Sequence, residues 1–96
     1  MINQNTYKFC VDGVVCPVDG EVIKYEVTWT TEEMIIIEKL TEWIDDLVQF
    51  PMFQEDFAQR FWKKWQSENS RGFLKVEGIH SGVQIICEMG SHKFKP

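Results

Sequence analysis

The sequence predicts an α+β fold: an antiparallel sheet of four to five strands with two consecutive helices packed on one face, in the order β-β-(β)-α-α-β-β. Three observations predict it. Residues 21–30 and 83–89 alternate apolar and polar with a period of two. Residues 31–50 place apolar side chains at the helical period of about 3.6. Phe53, Phe57, Phe61 and Trp65 recur every fourth residue. Strands first, then two helices, then strands is the order of a sheet with its helices gathered on one side.

At the start of the chain, residues 7–11 alternate and read as a short strand, with Asp12-Gly13 as a turn signal. Residues 14–16 read as a second short strand. Pro17 ends it and suits only a sheet edge or a bulge. Asp19-Gly20 is a second turn signal. In the next strand Ile23, Tyr25, Val27 and Trp29 face one way and Lys24, Glu26, Thr28 and Thr30 the other, as in a strand with one face on a core and one in water.

The first helix is expected over residues 31–50, with Thr30 and Glu33 as a capping box and Pro51 as its stop. Ile36, Ile37, Leu40, Trp43, Ile44, Leu47 and Val48 fall on one side. The second helix runs from about Pro51 to Ser67, with Glu55 and Asp56 early and Arg60, Lys63 and Lys64 late, as the helix dipole favours. Asp56 and Arg60 are spaced to pair. A hairpin follows, from Phe73 to Gly78 and from Val83 to Met89, turning around His80-Ser81-Gly82. In its second strand Val83, Ile85, Cys87 and Met89 share a face. Residues 90–96 read as a frayed, basic tail. No composition break divides the chain, so residues 1–96 are read as one domain.

The formal net charge is -5 and the charge is unevenly spread. Residues 1–59 hold three lysines against twelve acids, a net of -9, and residues 60–96 a net of +4. A net acidic protein is repelled by phosphate backbones and steered toward basic partners. The N-terminal residues lack the basic and apolar regions of a signal peptide, and no apolar run is long enough to cross a membrane. Together with an odd cysteine count (Cys10, Cys16 and Cys87), this reads as a cytoplasmic protein with reduced thiols.

No catalytic, metal or cofactor site is expected. Cys10, Cys16, Cys87, His80 and His92 lack the Cys-x2-Cys pairing of a zinc site, and Cys10 and Cys87 read as buried small hydrophobes. Glu38, Glu42 and Asp46 lie one turn apart, but there is no Glu-x-x-His pair to complete a carboxylate metal site. No nucleophile carries a flanking signature, and the six glycines form no phosphate-binding loop. The protein is therefore read as not an enzyme.

What remains is the polar side of the first helix, where Glu38, Glu42, Asp45, Asp46 and Gln49 gather with Lys39 as the only cation. Solubility alone favours mixed charge, so a face of one sign with Ile35 inside it reads as a partner-binding surface, set against the plain reading of a solvated helix face. The expected site is Ile35, Glu38, Glu42, Asp45 and Asp46, with Trp62 from the second helix. The expected function is a small acidic non-catalytic module, an inhibitor, immunity protein or antitoxin, that masks a basic surface of a partner such as a nucleic-acid-binding protein. The alternatives are a self-associating assembly subunit, with a homodimer as its simplest form, and nucleic-acid binding through Arg60, Lys63, Lys64 and Arg71 with Trp62 and Trp65.

Overall fold

A computed structural model describes residues 4–94. Strands β1 (Asn5–Val15) and β2 (Val22–Thr31) come first, then helices α1 (Ile37–Leu47) and α2 (Gln54–Trp65), then strands β3 (Gly72–His80) and β4 (Val83–Gly90). A short 3-10 turn over His92–Phe94 closes the described chain. The four strands form one antiparallel sheet in chain order, β1-β2-β3-β4, so β1 and β4 are its open edges. This is the expected α+β fold, with four strands.

The period-two pattern decides which side of the sheet is covered. Ile23, Tyr25, Val27 and Trp29 of β2 are buried, joined by Val11 and Val14 of β1 and Leu74 and Val76 of β3. Leu40 and Ile44 of α1 and Phe57, Ala58 and Phe61 of α2 close over them in the same core. The aromatic stripe of α2 meets the sheet through rings: Phe61 stands edge-on to Trp29 at 5.1 Å, and Phe57 lies 5.2 Å from Tyr25. Trp43 of α1 reaches Phe61 and Trp65, which locks the two helices together.

The structure corrects the expected elements in four places. The two short N-terminal strands are one strand. Val11 pairs with Tyr25 and Val14 with Ile23, so Asp12 and Gly13 together oppose one residue. That is a β-bulge, with Gly13 at φ 81 supplying the left-handed conformation it needs. Asp12-Gly13 is therefore a kink, and the hairpin turns at Pro17–Gly20 instead.

The second correction concerns the start of α1. Thr30 and Thr31 are fully buried in β2, where Thr31 pairs with both Asn5 and Gly72. The capping box does not form, and α1 starts at Ile37 with no side-chain cap. Its intended carboxylate works elsewhere: Glu33 accepts from the Ser67 N–H and the Ser70 hydroxyl. Glu32 accepts from the Arg71 backbone and guanidinium. The extended segment before α1 is thus tied to the loop before β3. The helix also ends at Leu47, short of Phe50, and α2 begins at Gln54 with Phe53 exposed.

Third, the C-terminal tail is not frayed from Gly90. The 3-10 turn returns to the sheet and buries Phe94, with Arg71 over its ring at 5.3 Å. The His92 ring lies 5.2 Å from Phe73. Residues 95–96 lie outside those described, as do residues 1–3. Fourth, Cys10 is exposed on the outer face of β1, Val83 is exposed at the hairpin tip, and Asp56 and Arg60 form no ion pair.

Candidate functional site: an acidic helix face and a hairpin clasp

Helix α1 buries Leu40 and Ile44 and half-buries Trp43, Leu47 and Val48, which leaves Glu38, Glu42, Asp45 and Asp46 in solvent. Among the described residues, none of these four carboxylates lies within 4.0 Å of a cationic group. Three of them divide over the top of the helix. Asp45 borders a groove of about 420 Å³ between α1 and the open edge strand β1, lined also by Phe9, Ile37, Leu40 and Ile44. Glu42 and Asp46 border the cleft between α1 and α2 together with Lys39, Trp43, Lys64 and Trp65. Arg60 and Lys63 line a separate cavity between the same helices, with Trp43, Leu47 and Asp56. Of the basic residues of α2, Lys64 shares a cleft with Glu42 and Asp46 of α1.

The structure does not bring the whole expected site together. Ile35 precedes the helix and packs against the core instead of standing among the acids. The exposed apolar residues at the head of α1 are Met34, 85% exposed, with Ile36 and Ile37 at 57% and 48%. Trp62 is half-buried on α2 beside Gly90 of β4, where any added Cβ would strike its ring. Strand β4 is the edge opposite β1, roughly 14 Å away at about 4.8 Å per strand step, so Trp62 does not adjoin the α1–β1 groove.

A second constellation was hidden in the sequence. The ladder between β2 and β3 ends at Glu26 and Glu77, and the two hairpins separate beyond that pair. Side chains rejoin them at their tips. His80 Nε2 lies 2.9 Å from Asp19 Oδ2, and Glu21 accepts from the Ser81 N–H at 3.0 Å. Asp19 also accepts from the Glu21 N–H at 2.9 Å. That backbone bond, with His80 second, holds its carboxyl below the usual carboxylate range.

Cys16 lies at the same place. The ligand atoms of Cys16, Asp19 and His80 are all within 4.8 Å of one another. Cys16 and His80 border a cavity of about 200 Å³ that also receives Tyr25, Met52, Gln54 and Glu55. The Tyr25 hydroxyl is buried with no hydrogen-bond partner. Burial, with Glu55 second, pushes this phenol up to about 12. Cys87 faces the same interior, its thiol pushed up by burial and by Glu55. A Cys-x2-Asp spacing from Cys16 to Asp19 was the signal in the sequence. A search for paired cysteines passes over it.

No known protein family matches this chain, no characterised protein matches its sequence, and no solved structure matches its fold.

Proposed function

We propose that this chain is a small acidic, non-catalytic protein-binding module that masks a basic surface of a partner protein, as an inhibitor, immunity protein or antitoxin does. The observation that carries the reading is a set of four exposed carboxylates, Glu38, Glu42, Asp45 and Asp46, unpaired among the described residues and following the exposed Met34, Ile36 and Ile37 in the chain. Carboxylates without internal partners are available to cations on another molecule, where they speed association and fix register. The apolar residues supply the surface that a partner desolvates. The partner is a protein with clustered Lys and Arg, of the kind that nucleic-acid-binding proteins present. Three free thiols agree with a reducing, cytoplasmic setting. No helix among the described residues is long and apolar enough to cross a membrane.

The test compares the tagged chain with its Glu42→Lys/Asp46→Lys variant in pull-downs from native lysate at low and high salt. A basic protein retained by the parent at low salt, weakened by salt and lost with the variant supports the reading. Equal recovery by both removes the α1 face from consideration. A second reading, self-association, is favoured by the two open sheet edges β1 and β4. Light scattering on the purified chain decides it, because a monomer at working concentration excludes it.

A further inference from the structure

The geometry points to a zinc-class metal site at the hairpin tips, with Cys16, Asp19 and His80 as its three protein ligands. The inference is independent of the acidic-face reading and departs from the expectation of no metal. Residues 16–21 form a tight turn closed by two backbone bonds, Gly20 N–H to Cys16 O and Cys16 N–H to Glu21 O. Gly20, at φ 75, provides the left-handed turn residue. Such a turn sets the side chains of its first and fourth residues on the same side, the spacing by which Cys-x2-Cys loops chelate zinc. Here the fourth residue is Asp19. The third ligand arrives from the other hairpin, where His80 ends β3 and presents Nε2 to Asp19.

The donor set selects the metal. One thiolate, one imidazole and one carboxylate suit a borderline divalent ion such as zinc, whereas calcium and magnesium demand oxygen alone. All three donor atoms lie within 4.8 Å of one another, and His80 Nε2 stands 2.9 Å from Asp19 Oδ2. Donors of a tetrahedral ion at 2.0–2.3 Å are about 3.3–3.8 Å apart, so side-chain adjustments that open the His80–Asp19 bond would bring the three onto one ion. Three protein ligands leave a fourth position in tetrahedral coordination.

A separate observation points the same way. Tyr25 is fully buried and lines the cavity that Cys16 and His80 border, and its hydroxyl has no partner there. A buried hydroxyl without a partner is costly. A water in the fourth metal position would share that cavity with the hydroxyl. The Cys16 proton is released to solvent as the thiolate binds.

The metal would also change the mechanics of the sheet. Beyond Glu26 and Glu77, no backbone ladder joins β2 to β3. An ion at the tips would staple the two hairpins at the end where they separate.

The test uses the purified chain, stripped with a chelator and checked by circular dichroism, then titrated with zinc against a chromophoric competitor. Cobalt provides a spectroscopic copy of the site. One ion per chain is expected, with a thiolate-to-cobalt charge-transfer band and the visible bands of a four-coordinate ion. Zinc should raise the melting temperature of the parent. Cys16→Ser and His80→Gln should each weaken zinc at least about 100-fold, beyond the range of an outer-sphere residue. They should also abolish the rise in melting temperature. Cys10→Ser and His92→Gln should bind as the parent does. If Cys16→Ser fails to fold, His80, which is less buried than Cys16, carries the test. Binding that is sub-stoichiometric, that lacks the thiolate band, or that survives His80→Gln overturns the site.

Discussion

The indole N–H of Trp29, at the centre of the sheet, donates to the side-chain oxygen of Gln66 at 3.0 Å. The same oxygen accepts from the Thr31 hydroxyl at 2.9 Å, and the amide nitrogen of Gln66 donates to Ser70. Gln66 is itself buried, so one side chain at the end of α2 satisfies two core donors and ties the following loop to the sheet. Gln66→Ala leaves the Trp29 and Thr31 donors buried without an acceptor. At about 1–3 kcal/mol for each such group, a loss of about 3 kcal/mol is expected in urea unfolding. Gln66→Glu keeps the acceptor but turns a carboxylate oxygen toward the Ser70 carbonyl, so it should not recover the loss.

Gly72 stands against that amide, and a Cβ added there would overlap Gln66 Oε1. Gly72→Ala should therefore destabilise the chain by displacing the same network. In the double variant with Gln66→Ala the two losses should fall short of additive, as coupled neighbours do.

Glu32 accepts from the Arg71 N–H and pairs with its guanidinium, and those bonds hold its carboxyl below the usual 4.5. A carboxyl depressed in the folded state contributes stability above its unfolded value and loses it as pH falls through the folded value. Stability of the parent should thus decline as pH drops below about 4.5. Glu32→Gln should flatten that part of the curve in an acid series of melting temperatures.

The buried hydroxyl of Tyr25 has the opposite sense. Raised from 10 to about 12, it keeps its proton in the folded chain after an unfolded tyrosine has lost it. Its contribution is constant below about 10 and is lost as pH rises toward 12. Tyr25→Phe should remove that alkaline loss. In metal-free protein it should also raise stability by about 1 kcal/mol, since the hydroxyl it removes is unpaired.

At the β3–β4 turn both central residues have positive φ, Ser81 at 51 and Gly82 at 79. That turn favours Asn or Asp before Gly, and serine is a poorer occupant. Ser81→Asn should stabilise the chain by roughly 0.5 kcal/mol, read as a higher melting temperature with unchanged folding cooperativity.

Much of the architecture was legible in the periodicities. The alternation from Ile23 to Trp29 and the four-residue stripe from Phe57 to Trp65 located the sheet face and the helix that covers it, because each pattern records burial on one side. What misled was local chemistry with two uses. Asp12-Gly13 serves a hairpin turn or a bulge equally well, and only the pairing of Val14 with Ile23 selects the bulge. Thr30 and Glu33 spell a capping box, but burial of Thr30 and Thr31 between neighbouring strands outweighs a cap.

The candidate surface was legible to the same degree. Glu38, Glu42, Asp45 and Asp46 sit where a helical wheel puts them. Ile35 and Trp62 were misplaced because one lies outside the helix and the other beside the far sheet edge. The Cys16, Asp19 and His80 group joins two hairpins distant in sequence, a meeting that no local spacing reports.

The strand order has a consequence for how the chain finds its fold. β1 with β2 and β3 with β4 are neighbours in sequence, and each hairpin closes through a short turn. β2 and β3 pair only after residues 32–71 have been looped out, across six rungs from Glu26 with Glu77 to Thr31 with Gly72. Closing that loop is the one long-range search the topology demands, and its entropy must be met before the rungs repay it. Docking of the two hairpins, with the helical insert as the tether between them, should therefore carry most of the loop-closure cost of folding.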